Sequence, residues 1–398
     1  MTIELKSRLR EFGINMKSFS AKFTPFAERM LAESLPEIAI ETFRHYYLQL
    51  LEGNTGTIAE QDIRPVSELV DAESIVPEVT GIGEKAVSRT VLIKLNGGLG
   101  TSMGLDRAKS LLRIKGNLSF LDIIARQAIR KNIPLILMNS FATREDSLAA
   151  LKPYPELWNN DLDIDFVQHK IPKINKSDMG PVDWPRAPHL EWCPPGHGDL
   201  YIALFTSGQI ERLLDRGYEY AFVSNADNLG AVLDTAILGY FAEQHIPLLM
   251  EVTERTQADK KGGHLARMAN GQLLLRESAQ CLPEEMSAFQ DITRHKFFNT
   301  NNLWLNLRTL ESVMAEKKNI LGLPLIRNEK TVDPGDAGSP PVYQLETAMG
   351  SAISVFDGAQ AIRVPRTRFF PVKTTSDLMT IRSDAYCLTD DCRLIINP

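Results

Sequence analysis

A short β-branched run, Thr90-Val91-Leu92-Ile93-Lys94-Leu95, leads directly into Asn96-Gly97-Gly98-Leu99-Gly100-Thr101-Ser102-Met103-Gly104, and Lys109 follows five residues on. Without Cβ atoms, such a turn lets backbone N–H groups approach a phosphate closely, and a nearby lysine adds a point charge. Two common phosphate motifs do not fit. A Walker A loop ends in Gly-Lys-Ser/Thr, whereas Gly104 precedes Leu105; the dinucleotide fingerprint Gly-x-Gly-x-x-Gly is missed by one residue, since Gly98-x-Gly100 is followed by Gly104. A tight strand-to-helix connection without a ligand is the plain alternative. A rival of another chemical class overlaps the same residues. Gly100 to Gly104 matches Gly-x-Ser-x-Gly, which would make Ser102 the acylated nucleophile of a hydrolase. An elbow serine sits in a sharp turn directly off its strand, and here Asn96 to Leu99 intervene, so this is the lesser reading.

The elements that must position this loop are legible in the hydrophobic pattern. Short apolar or β-branched runs recur at Pro134–Asn139, Asp163–His169, Tyr220–Asn225, Pro247–Glu254 and Leu303–Leu307. Helical patterns at Phe120–Lys131, Gln209–Arg216 and Asp234–Gln244 lie between several of them. Strand alternating with helix predicts a mixed α/β fold around a mostly parallel sheet covered on both faces. Asn270-Gly271, between two apolar runs, predicts a hairpin. Residues 1–88 read as a mainly helical N-terminal region, with Phe43, Tyr47, Leu50 and Leu51 on one helical face and a short helical piece at Val66–Ala72. The remaining divisions are an α/β domain at 89–382 and a short tail at 383–398.

The 398 residues are 43% hydrophobic and 24% charged, the composition of a chain with a real core. A net charge of −6 leaves no global basic field for a nucleic-acid backbone, so any bound phosphate must be met by a few local groups. No apolar run approaches the ~18 residues of a membrane span, and the first residues, Met1 to Lys6, lack the apolar core of a signal peptide. Four cysteines (Cys193, Cys281, Cys387, Cys392) without a Cys-x-x-Cys pair, and seven scattered histidines, read as free thiols and no zinc site. A cytoplasmic location is the expectation.

The glycine-rich loop resembles the nucleotide-binding loop of the eukaryotic-type UTP–glucose-1-phosphate uridylyltransferases (UDP-glucose pyrophosphorylases). Further motifs fit in the family's order: Pro194-Pro195-Gly196-His197-Gly198-Asp199, Asn225-Ala226-Asp227-Asn228-Leu229-Gly230, Lys261-Gly262-Gly263, Phe298-Asn299-Thr300-Asn301-Asn302-Leu303-Trp304, Gln344 to Gly350, and Pro371-Val372-Lys373-Thr374-Thr375-Ser376-Asp377-Leu378. The resemblance implies a GT-A-like, Rossmann-related nucleotidyltransferase domain. It implies the reaction of UTP with glucose 1-phosphate to give UDP-glucose and pyrophosphate, with Mg²⁺. That chemistry needs no activated serine, because the sugar phosphate is already an anionic nucleophile. It needs in-line placement on the α-phosphorus of UTP, and cations where charge collects on the leaving pyrophosphate.

By the same resemblance, Leu95, Asn96, Gly97 and Gly98 contact the uridine portion and Gln168 reads the uracil edge, where an amide can donate and accept at once. Gly196 lies against the nucleotide, Lys109 and Lys373 are the catalytic cations on the phosphates, and Asp227 is the metal ligand, at the end of the strand Ala221–Ser224. His197 and Asn225 touch the sugar phosphate, while Gly263, Glu277, Asn299 and Asn301 line the glucose pocket. Two departures stand out: Arg107-Ala108 precedes Lys109 where the family usually has Gly-Pro, and Ala226 replaces a serine. A related uridylyltransferase for galactose 1-phosphate or N-acetylglucosamine 1-phosphate is the nearest alternative, and a catalytically silent homologue another. Retention of both lysines and Asp227 speaks against the latter. Family members continue beyond the Lys373 motif into a C-terminal β-helix domain, most of which is missing here, and a monomer is therefore expected.

Overall fold

The computed structural model describes residues 15–99, 107–158, 161–372 and 374–397. Eight strands form the continuous path of the main sheet: β1 (Val70–Asp71), β2 (Thr90–Asn96), β3 (Leu135–Asn139), β4 (Asp165–Val167), β5 (Tyr220–Asn225), β6 (Leu248–Glu254), β7 (Phe297–Asn306) and β8 (Gln360–Arg363). Their spatial order is β1-β8-β6-β7-β5-β2-β3-β4. β7 is antiparallel to its neighbours β5 and β6, and every other pair along the path is parallel. The expected mixed, mostly parallel sheet is what forms. A hairpin of His264–Met268 and Leu273–Arg276 branches from β7, with Gly271 at φ +91° in its turn.

Both faces of the sheet are covered because its central strands have no polar side. Val91, Ile93, Ile136, Ala221 and Val223 enter one core, and Leu92, Leu135, Leu137 and Phe222 the other. Each step along a strand reverses the side-chain direction, so an unbroken apolar run has to be buried twice. The helices include α1 (Met16–Ala32), α2 (Glu37–Leu51), α3 (Pro77–Ala86), α4 (Phe120–Lys131), α5 (Leu200–Thr206), α6 (Thr235–Glu243), α7 (Leu307–Glu316) and α8 (Thr375–Arg382), and further short helices form at Arg144–Leu151, Gln209–Asp215 and Met286–Phe289. α5 and α7 contribute to the first core, and α3, α4, α6 and α8 to the second. The sequence places α4 at its observed bounds because its ends are chemically marked. Ser119 and Asp122 form a reciprocal capping box at its start, and Asn132 takes a left-handed conformation at its end. α1 and α2 pack Phe19, Phe23, Phe26, Phe43 and Tyr47 against Ile171, Ile174 and Leu345.

Three expectations are corrected. Residues 66–69 are loop and β1 follows, where a short helical piece at Val66–Ala72 is expected. A helix of seven residues forms only where packing supports it, as in α5, whereas here an extended segment pairs Val70 and Asp71 with Ile362 and Arg363 at the sheet edge, and Arg363 adds an ion pair to Asp71 at 2.6 Å. The strand expected at Leu303–Leu307 begins six residues earlier at Phe297, through the Asn-rich stretch, and Leu307 already opens α7 behind the Asn306 cap. The stretch expected as a tail folds as a hairpin, Tyr386–Leu388 with Leu394–Ile396, and buries Cys392 and Leu394 in the second core. The four cysteines are free thiols. No helix among the described residues is long and apolar enough to cross a membrane.

Candidate active site

The C-terminal ends of β2, β3 and β5 lie abreast, because the parallel register pairs Leu95 with Asn225 and Asn96 with Asn139. Open α/β sheets take ligands at this edge. The Leu95 carbonyl accepts from Ala226 N–H at 3.0 Å, so the two loops leave the sheet already joined. Asn96 has a scaffold duty: its buried Nδ2 donates to Asn139 Oδ1 and Ser147 Oγ, each at 2.7 Å. Its neighbour Gly97 lies directly against Gln168. A Cβ at Gly97 would stand 2.7 Å from Gln168 Oε1, so the missing methyl is what allows the amide to sit over the loop. Gln168 is fixed in turn by its own N–H on the Asn139 carbonyl at 2.8 Å.

Lys109 returns to the start of this loop through its N–H on the Gly98 carbonyl, 3.2 Å, and a bridge between Leu99 and Ala108. The Arg107-Ala108 departure thus leaves Lys109 backbone-anchored. Its Nζ meets Asp227 Oδ2 at 2.6 Å, with the two side chains 19% and 20% exposed. A lysine and an aspartate 118 residues apart therefore face one another at the mouth of the sheet edge. Ser102, with residues 100–106, and Lys373 fall outside the described residues; Val372 before Lys373 is buried, and Thr374 after it caps α8.

A second set of residues lines a cleft of 310 Å³: His197, Gly263, Glu277, Asn299 and Asn301, together with Gly262, Phe298, Asn328, Glu346 and Thr347. Five of the six residues expected on the sugar side are thereby brought together from four chain segments. The sixth, Asn225, stands at the end of β5 beside Leu95 and does not line this cleft. Gly196 introduces His197 at φ +80°, and a Cβ there would lie 2.4 Å from the Thr347 carbonyl, so only glycine fits. His197 Nδ1 accepts the Met349 N–H at 2.9 Å, which leaves Nε2 as the N–H of the neutral ring. Burial pushes its pKa down to about 4, so the imidazole is neutral and can only donate through Nε2 near neutral pH.

Asn299 and Asn301 line the cleft at a bulge in the strand. Opposite β6 the register jumps from Glu251–Asn302 to Val252–Asn299, and Asn301 adopts φ +58°. Asparagine tolerates that conformation better than other non-glycine residues, and bulges re-aim side chains at sites. The two amides fix each other: Asn299 Nδ2 donates to Asn301 Oδ1 at 2.8 Å, and Asn301 N–H to Asn299 Oδ1 at 2.9 Å. The Glu277 carboxylate lies where a Cβ on Gly263 would be, 2.6 Å away.

Sequence reasoning missed the support beneath both sets. Glu251, fully buried, accepts from Asn302 Nδ2 and Trp304 Nε1, each at 2.9 Å, and from Arg368 Nε and Nη2 at 2.8 and 2.6 Å. Lys94 is buried too, donating to Ser224 Oγ at 2.6 Å and the Ala231 carbonyl at 2.9 Å; burial first, then Arg368, pulls its pKa to about 7 against the opposing pull of Glu251. The available signal was a charge inside an apolar run, Lys94 in β2 and Glu251 in β6. Glu346 in the cleft was also missed, and burial holds its carboxyl above the usual range.

The class so defined is a mixed, mostly parallel α/β sheet with a lysine–carboxylate pair at its ligand edge and a polar cleft alongside. The family model for UTP–glucose-1-phosphate uridylyltransferase matches residues 40–398. The chain is 42% identical to the Solanum tuberosum UTP–glucose-1-phosphate uridylyltransferase over 79% of this chain and 65% of that protein. Against the Saccharomyces cerevisiae enzyme it is 40% identical, over 87% of this chain and 69% of that one. Among solved structures, a Leishmania major UDP-glucose pyrophosphorylase variant in complex with UDP-glucose superposes with a TM-score of 0.88 at 44% identity, covering 95% of this chain and 82% of that one. The chain belongs to the UTP–glucose-1-phosphate uridylyltransferase family. It spans 65% of the length of the potato relative and 64% of the Schizosaccharomyces pombe one.

Proposed function

We propose that the protein transfers the uridylyl group of UTP to glucose 1-phosphate, giving UDP-glucose and pyrophosphate. The observation that carries this reading is the placement of His197, Gly263, Glu277, Asn299 and Asn301 around one polar cleft. The Gln168–Gly97 wall and the Lys109–Asp227 pair occupy the strand ends of the same sheet. A phosphate oxygen of glucose 1-phosphate attacks the α-phosphorus of UTP; the new P–O bond forms as the bond to the β-phosphate oxygen breaks, and its electron pair leaves on pyrophosphate. Gln168 holds the uracil, His197 donates its Nε2 proton in a hydrogen bond to the sugar phosphate, and Lys109 neutralises the leaving group together with Lys373. No group has to remove a proton, which accords with a neutral His197.

The donor set fits Mg²⁺ held jointly with substrate. Among the described residues no cluster of three or more metal-ligating side chains exists, and Asp227 stands alone with Lys109 against it. Magnesium commonly takes one or two carboxylates and completes its shell with substrate phosphates and water. Bound there with the nucleotide, it would supply a Lewis acid for charge on the phosphates. The test is pyrophosphate release from UTP with a panel of sugar 1-phosphates, with and without Mg²⁺. Turnover with glucose 1-phosphate that needs the metal is expected; turnover with galactose 1-phosphate or N-acetylglucosamine 1-phosphate but not glucose 1-phosphate would refute the substrate assignment.

A further inference from the structure

A buried amide joins the proposed nucleotide side to the proposed sugar side of the site. Asn228, 1% exposed, directly follows Asp227 in the turn after β5. All of its polar capacity is used, and its partners come from three segments. Oδ1 accepts from Gly230 N–H at 3.2 Å within its own turn and from Phe370 N–H at 2.9 Å. Nδ2 donates to the Arg368 carbonyl at 3.1 Å and to Asn302 Oδ1 at 3.4 Å. Backbone pairing of Asn228 with Pro371 reinforces the junction.

Each partner is itself fixed to the site. Asn302 is the residue after Asn301, at the end of the bulge that aims Asn299 and Asn301 into the cleft. Arg368 and Asn302 both end on the Glu251 carboxylate, so the two groups to which Asn228 donates are locked to one buried anion. A buried amide with every bond satisfied is a rigid coupling, because each bond lost would leave an unpaired polar atom away from water.

We infer that Asn228 is a positioning residue for uridylyl transfer: its side-chain amide sets the Asp227 turn relative to the sugar-binding bulge and the 368–371 segment. It touches neither substrate nor metal and acts through Asp227 and Asn301. The inference rests on the proposed function. In-line transfer demands that the two substrates be held in one geometry, and displacements near 1 Å can cost ~100-fold in rate.

The test is steady-state kinetics of the full chain carrying Asn228→Ala or Asn228→Asp, with unfolding followed in parallel. Asn228→Ala removes all four side-chain bonds. Asn228→Asp keeps the volume and the two accepted bonds but sets a carboxylate oxygen against the Arg368 carbonyl and Asn302 Oδ1. Both variants are expected to lose ~30–100-fold in kcat per folded molecule, while the KM for UTP, set by Gln168 and the Gly97 loop, stays within about threefold. A residue that merely fills space would spare the isosteric Asp variant and leave kcat per folded molecule unchanged. Wild-type kcat in either folded variant overturns the inference, and so does failure of both to fold, which would make Asn228 a stability residue only. Absence of glucose 1-phosphate turnover by the wild type would instead refute the function on which it rests.

Discussion

The two halves of the site are built by opposite means. The proposed nucleotide half sits on loops leaving parallel strands, and much of what it offers is backbone: Leu95 to Gly98 run in consecutive chain positions, and Lys109 is returned to Gly98 by a main-chain bond. The sugar half is made of side chains gathered from four separate segments around the one antiparallel strand of the main path, held by a bulge and a buried anion. Loop-borne backbone suits a phosphate chain, whose charge is broad and whose shape varies little. A hexose differs from its epimers by the direction of one hydroxyl, and discriminating it calls for amides and carboxylates held rigidly.

The contrast can be broken experimentally, and the largest effect belongs to charge. Lys109→Ala removes the cation beside Asp227 and is expected to lower kcat by roughly 100- to 1,000-fold, measured as pyrophosphate release at saturating substrates. Retained activity would mean that the pair in the structure is a mere salt bridge. Next, His197→Asn keeps an acceptor for the Met349 N–H but removes the Nε2 donor. It is expected to cost about 10- to 100-fold in kcat/KM for glucose 1-phosphate and to leave the KM for UTP unchanged, since a lost hydrogen bond to a charged group is worth ~1.5–3 kcal/mol. Equal loss for both substrates would erase the division between halves. A third change acts on the other side: Gly97→Ala pushes a methyl to 2.7 Å from Gln168 Oε1 and should raise the KM for UTP about tenfold without touching that of the sugar phosphate.

The smallest effect concerns pH. Burial holds His197 down at about 4, and burial with His295 and Arg255 holds His264 down at about 2, both from 6.5. Below 6.5 these two rings thus bind fewer protons in the folded protein than in the unfolded chain. Stability contributed by these two neutral rings is fully present above that value and is lost as pH falls through the window toward their folded pKa values. His169 works the other way: burial would lower it, but the Asp199 carboxylate 2.9 Å away wins and raises it, so its contribution is present below 6.5 and fades as pH rises through its folded value. Thermal unfolding should therefore show a falling Tm from pH 6.5 down to about 5, and a shallower fall in His197→Asn. Identical slopes in the two proteins would contradict the neutral His197.

Much of the fold was legible because it is locally marked. α4 carries its own start and stop in Ser119, Asp122 and Asn132, and β2 and β5 announce themselves as mostly apolar runs. What escaped was decided by distant partners. Val70–Asp71 is a strand only because β8 presents an open edge, and the Asn-rich start of β7 is a strand only because β6 and the hairpin pair with it. The site divides in the same way. The glycine loop with Lys109 is one local stretch, whereas no spacing in the chain places Asp227 against Lys109, or Glu277 against Gly263.

By itself, then, the sequence determined the alternation of strand and helix, the glycine-rich run after β2, and the inventory of lysines, amides and carboxylates. Those properties depend on residues a few positions apart, where backbone sterics and side-chain period act directly. Only the tertiary structure decided which of them meet: the neutral His197 fixed by Met349, the bulge that turns Asn301 inward, and the Asn228 amide that ties Asp227 to Glu251 through Asn302 and Arg368. Their chemistry depends on burial and on contacts between residues 51 to 152 positions apart, and a low-dielectric interior with satisfied hydrogen bonds exists only once the sheet has closed.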